Sequence, residues 1–155
     1  MISGDDFQPR KIYGSLSLHK STLEYIWVEP CQNDLHDGAG EWMGSFVDFT
    51  ALKVLCSSLA NLVELDELGL PVRKLQTVLL SSLETLYVSV EDDQPFNIAI
   101  DLLAELAALK TFPKLATIHL QYCAFREPEN AGRVEWLEQR CQETGILYFS
   151  PQPMF

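Results

Sequence analysis

Basic residues are scarce in this chain of 155 residues: 11 lysines and arginines stand against 22 aspartates and glutamates, which gives a formal net charge of −11. Only 10–11 and 73–74 are adjacent basic pairs. A phosphate backbone is bound through clustered basic side chains, so this charge balance argues against nucleic acid as a partner. The acidity favours solubility and basic partners.

Long apolar runs are also missing. No window approaches the roughly 18 uninterrupted apolar residues of a membrane-spanning helix, and the first residues, MISGDDFQPRK, lack the apolar stretch of a secretory signal. The sequence therefore predicts a protein of the cytoplasm or nucleus that does not bind membranes. The four cysteines are too widely spaced for a CxxC pair, which favours small buried hydrophobes over a disulfide framework. They are Cys31, Cys56, Cys123 and Cys141.

Signatures of catalysis are absent from the written sequence, including a nucleophile elbow, a phosphate-binding glycine loop and an HExxH helix. His36 lies between carboxylates in 33–37, but the fixed spacing that orients metal ligands is lacking. The acidic run at 91–93 does not have the ligand spacing of an EF-hand. Solvated loops are the simpler interpretation of both, so we predict no metal, no cofactor and no enzymatic activity.

A repeat is present. Four segments share the pattern leucine-x-x-apolar-x-apolar or a close relative, and their first leucines lie 29, 31 and 32 residues apart. A fifth candidate begins 31 residues after Leu115. The segments are 23–28, 52–57, 83–88, 115–120 and 146–149. Short strands at such a period bury their apolar faces by pairing as parallel neighbours in one sheet. The connecting segments then pack against one face of that sheet.

The connections carry helical patterns. A helix is predicted over about 98–110, with Asn97 as its cap, and a second over about 132–143, with Gly145 as a left-handed C-terminal cap. Two short helical pieces are predicted between Ser57 and Ser82, and an irregular loop over 31–44. The fold class predicted for 1–155 is a single α/β domain: a short, irregular solenoid sheet of four to five parallel strands, with helices and loops on its convex side.

The phrases at 21–28, 49–55, 81–88 and 112–120, in this order and spacing, resemble the C-terminal leucine-rich-repeat region of fungal F-box-like proteins. The resemblance covers about 21–149. It implies a leucine-rich-repeat fold and a protein-binding module that selects substrates for a ubiquitin ligase, with the adaptor-binding part outside this chain or lost.

The third and fifth residues of each segment are expected to point away from the core. One predicted row across the open face is Trp27, Cys56, Tyr87 and His119, and the adjacent row is Tyr25, Val54, Thr85 and Thr117. Aromatic residues on a face expected to be exposed to solvent are typical of interaction sites. We therefore predict a protein-binding surface at Tyr25, Trp27, Cys56, Thr85, Tyr87, Thr117 and His119.

Three alternatives stay open at the level of sequence. A terminal segment or another subunit covers the open face, which makes the aromatic residues packing residues. An enzyme or ligand-binding pocket lies near His119 and the 34–37 loop. The chain is an obligate subunit that forms homo-oligomers through its exposed sheet ends.

Overall fold

The computed structural model describes residues 8–28, 42–90, 96–109, 111–122 and 131–149. Five strands form an all-parallel sheet whose spatial order, β1-β2-β3-β4-β5, is also their order in the chain. The strands are β1 (Tyr25–Trp27), β2 (Val54–Ser58), β3 (Thr85–Val90), β4 (Thr117–Tyr122) and β5 (Leu147–Phe149). The predicted α/β class with parallel strands is thus confirmed.

Five helices accompany the sheet in the described part of the chain: α1 (Pro9–Ser17), α2 (Leu59–Leu62), α3 (Leu75–Val78), α4 (Phe96–Ala108) and α5 (Ala131–Thr144). The two short pieces predicted between Ser57 and Ser82 are α2 and α3. Of the predicted loop at 31–44, residues 42–44 are irregular and 31–41 lie outside the described residues.

Each of the first four strands begins two residues later than its repeat segment. The leading leucine therefore lies in the turn before the strand, where Leu52, Leu83 and Leu115 turn into the core. The fourth residue of each segment points inward from the strand itself. These inward residues, Ile26, Leu55, Leu86 and Ile118, are aligned by the register and are at most 3% exposed.

One apolar cluster joins these inward side chains to the buried faces of α4 and α5. In α5, Val134, Leu137 and Cys141 are buried as the spacing predicts, and Gly145 ends the helix with a φ of 77°. The predicted cap at Asn97 is wrong, because α4 begins one residue earlier, at Phe96. Helix α4 packs on α5 within this apolar cluster, and the burial of its apolar side chains stabilises the helix.

The carboxyl end of β2 is buried but polar. Ser57 takes the place that Val88 and Leu120 hold in the next two strands, and its hydroxyl donates to the Ser58 carbonyl oxygen at 3.1 Å. Ser58 caps α2 by accepting from the Asn61 amide, and Asn61 accepts from Met43 through its carbonyl. These bonds satisfy buried polar groups and fix the 42–46 segment beside α2.

Helix α1 was not predicted. Pro9 at its first turn and the spacing of Ile12, Tyr13 and Leu16 are signals that sequence reasoning missed. The Tyr13 hydroxyl donates to the Ser45 carbonyl oxygen. Its ring lies over Gly44, where a built Cβ would meet it at 2.8 Å and where φ is 142°, so only glycine allows this approach.

Candidate functional site

The strand register aligns the outward-pointing residues predicted from the sequence. Trp27 pairs with Cys56, Cys56 with Tyr87, and Tyr87 with His119. Tyr25, Val54, Thr85 and Thr117 are aligned in the same way. The structure therefore brings the seven predicted site residues onto one face of the sheet, in the two rows that the repeat predicts.

The fifth strand extends both rows. Phe149 pairs with His119, and Leu147 pairs with Thr117. Sequence reasoning missed both residues because it placed the fifth segment 31 residues after the fourth, whereas the register sets the offset at 30. Alternation could not decide the offset, because all four residues of 146–149 are apolar or aromatic and either alternate set fits the inward face of a strand.

Four rings of this face form a continuous series, which we call the aromatic row: Trp27, Tyr87, His119 and Phe149. The ring centroids of Tyr87 and His119 are 4.0 Å apart with an interplanar angle of 10°, and those of His119 and Phe149 are 4.7 Å apart at 14°. These distances match the spacing of about 4.8 Å between neighbouring strands. Equivalent positions on adjacent parallel strands therefore stack their rings without leaving the register.

Trp27 and Tyr87 meet although a strand lies between them. Their centroids are 4.9 Å apart, about half of the separation expected for residues two strands apart. The two rings therefore meet over Cys56, which the register places between them.

Cys56 is the one predicted binding residue that the structure removes from the accessible surface. It points to the open side, as predicted, but it is 1% exposed. The reason is steric: a small side chain between two large aromatic ones lies beneath the rings, which meet above it. The accessible part of this row is aromatic.

Much of the open face is exposed to solvent. The exposed fractions are 68% for Tyr25, 57% for Trp27, 62% for Leu147 and 48% for Phe149. Thr85, Tyr87, Thr117 and His119 are half-buried among them. Large side chains left at these fractions, side by side on one face, form an apolar patch rather than scattered surface residues.

The stacking decides which part of each ring faces outward. Because Tyr87, His119 and Phe149 lie nearly parallel along the row, each covers the faces of its neighbours and leaves its edge toward solvent. Desolvation in this stack lowers the pKa of His119 below its usual 6.5. A neutral imidazole therefore occupies the middle of the row, with its nitrogens on the ring edge.

A second feature lies at the amino ends of the strands, where a cleft of about 620 Å³ is lined by charged and small polar side chains. Lys53 Nζ is 2.7 Å from Glu24 Oε1, and this hydrogen bond raises the pKa of Lys53. Glu84 and Lys114 also line the cleft, whereas His119 does not. Lys53 and Glu24 pair across adjacent strands, and both signs of charge line the cleft, so it offers a mixed polar surface rather than a site for one charge.

Metal ligands do not converge in the part of the chain that the structure describes, where no three histidine, cysteine, aspartate or glutamate side chains are grouped. The 33–37 loop with His36, the 91–93 run, Cys31 and Cys123 lie outside the described residues. Cys141 is buried in α5, which raises its thiol pKa to about 11 and makes its thiolate scarce at neutral pH. No helix among the described residues is long and apolar enough to cross a membrane.

Comparison of the chain with models of protein families, with curated proteins and with solved structures found no match. The geometry of the open face is therefore the basis for any assignment of function.

Proposed function

We propose that the chain is a non-enzymatic protein-binding module, and that the open face of the sheet, with the aromatic row at its centre, is its binding surface. The observation that carries the proposal is the row itself: four rings on four strands in contact across a solvent-exposed face. Aromatic side chains in such patches supply most of the free energy of many protein interfaces.

The orientation of the rings favours a protein over a small planar ligand. A nucleobase or a sugar binds by stacking on a ring face, and the faces of Tyr87 and His119 are occupied by neighbouring rings. Ring edges carry partial positive charge and attract carbonyl oxygens, which a protein surface provides. The same stacking disfavours an active site centred on His119, since its ring is held between Tyr87 and Phe149.

The resemblance to fungal F-box-like proteins extends the proposal. The bound protein would then be a substrate, and this module would select it for a ubiquitin ligase. The open face supports this role only in that it offers a surface for a protein. The resemblance also keeps the leucine-rich-repeat solenoid as the proposed finer description of the parallel sheet.

The binding test compares loss of the two ends of the aromatic row with loss of a tryptophan elsewhere on the surface. Trp27→Ala combined with Phe149→Ala removes both exposed ends of the aromatic row, whereas Trp136→Ala removes a tryptophan that is 39% exposed on α5. Quantitative affinity capture with the full chain identifies proteins that depend on the first pair, and calorimetry with each purified protein measures the dissociation constant. We expect the double variant to lose about 2 kcal/mol or more of binding free energy and Trp136→Ala to bind like the wild type.

Equal binding by the wild type, the double variant and Trp136→Ala, with circular dichroism showing that all three are folded, would mean that the open face is not the binding surface. The ligase role is tested in the same capture. It predicts that a ligase adaptor co-purifies with the full-length gene product, and that its recovery is independent of Trp27 and Phe149. Capture of binding proteins without any adaptor would retain the binding module and remove the ligase role.

A further inference from the structure

A turn in the connection between β2 and β3 exposes three apolar side chains. Residues 64–72, here the Leu68 turn, lie between α2 and α3. Leu68 is 83% exposed, Leu70 is 48% exposed and Val72 is 56% exposed. Single exposed leucines are ordinary, but three apolar side chains at alternate positions of one turn form a local patch.

The turn is held by its own hydrogen bonds. Asp66 donates its amide to the Leu70 carbonyl at 2.8 Å, and Val72 donates to the Glu64 carbonyl at 2.8 Å. The Asp66 carboxylate accepts from the amides of Leu68 and Leu70, each at 2.9 Å. Gly69, with a φ of 78°, provides the left-handed position that the turn needs.

Both ends of the turn are fixed to the body of the protein. Val63 before it and Leu75 after it are fully buried. Arg73 pairs with Glu64 at 3.6 Å and lies 4.8 Å over the Trp42 ring. A turn fixed in this way presents its apolar side chains with little backbone ordering left to occur on binding, and such preorganisation lowers the cost of forming an interface.

We propose that the Leu68 turn is a second docking element, which inserts Leu68 into an apolar groove of a partner protein whose rim carries lysine or arginine. The basic rim of the partner's groove is inferred from charge complementarity with the acidic residues of the turn. Asp66 and Glu67 precede the tip, while the nearest basic residues, Arg73 and Lys74, are paired with Glu64 and Glu105. The acidic flank and the net charge of −11 disfavour a second copy and an anionic lipid surface.

The experiment uses a photo-crosslinking amino acid, benzoylphenylalanine, as the probe at position 68 of the full chain. The control places it at Leu18, which is 81% exposed beside α1 and is therefore as accessible as Leu68. We expect an adduct with a partner protein that forms only from position 68. Mass spectrometry should map the crosslink to an apolar segment of that partner next to lysine or arginine. Absence of such an adduct, or identical adducts at both positions, overturns the proposal.

The crosslinked protein is then purified and titrated with the chain. Leu68→Ser is expected to weaken binding by about tenfold or more, Leu18→Ser to leave it unchanged, and Glu67→Lys to weaken it and flatten its salt dependence. A dimer that Leu68→Ser abolishes in sedimentation, or flotation of the chain with phosphatidylserine vesicles through Leu68, would assign the turn to a different occupant and overturn the proposal. Loss of binding in the Trp27 and Phe149 variants alone leaves this proposal intact.

Discussion

On β3, Leu86 is fully buried, whereas the adjacent Tyr87 is half-buried in the aromatic row of the opposite face. The same alternation recurs on β1, where Ile26 is 3% exposed and Trp27 is 57% exposed. The covered face of the sheet is aliphatic and closed by the connections, while the open face is aromatic and accessible. Adjacent residues therefore have different surroundings: the inward ones pack in the core, and the outward ones form the proposed binding surface.

The largest effect is expected on the covered face. Leu86→Ala leaves a cavity in the central strand, and we expect the free energy of unfolding to fall by about 2–5 kcal/mol in urea denaturation. Thr85→Ala, one residue away on the open face, is the matched control and is expected to change it by no more than about 1 kcal/mol. Similar losses for both variants would mean that the two faces do not differ in their contribution to stability.

A smaller effect on stability, with a clear chemical signal, is expected for Trp27→Ala. Removing this ring uncovers Cys56, so its labelling by a maleimide should become much faster than in the wild type. The measurement uses a background with Cys31→Ser and Cys123→Ser, in which Cys141 serves as a buried internal reference.

Tyr25→Ala is the control for this variant, because Tyr25 is exposed on the same short strand but is not in the aromatic row. It should leave Cys56 unreactive. If Tyr25→Ala and Trp27→Ala accelerate labelling equally, then the thiol is reached by opening of β1 as a whole and not through the place of the Trp27 ring.

The smallest effect is expected from titration of His119. Desolvation lowers its pKa in the folded protein, so below the usual pKa of 6.5 the unfolded chain binds the proton more readily. This group's contribution to stability is therefore complete above 6.5 and is lost as the pH falls toward the folded pKa. Imidazole titration by NMR, with unfolding midpoints at about pH 5 and about pH 7.5, measures the effect.

His119→Gln is expected to remove this part of the pH dependence. Tyr87 and Phe149 flank the imidazole, and stacking of aromatic rings on a cation works in the opposite direction to desolvation. A pKa of His119 above 6.5 would show that this attraction outweighs the loss of hydration, and the row would then hold an imidazolium.

The sequence was informative where a period controls structure. The parallel strands and the two rows of outward residues follow from the recurring leucines, and the buried face of α5 follows from the helical spacing of its apolar residues. In both cases spacing and alternation decide which side chains share a face. The start of α4, the burial of Cys56 and the offset of β5 did not follow. They depend on relations between segments: the packing of α4 on α5, the contact of two rings across an intervening strand, and a last connection that is one residue shorter than the repeat predicts.

Because the strands lie in the sheet in chain order, every strand pairing closes a loop of about one repeat rather than the length of the chain. Within the described segments, the first and last strands, of three residues each, are joined to the sheet on one side only, so they can open without the centre. The aromatic row runs through both of them. A partner that covers the row from Trp27 to Phe149 would therefore act as a clamp, lowering the rate at which either end unfolds and slowing proteolysis there.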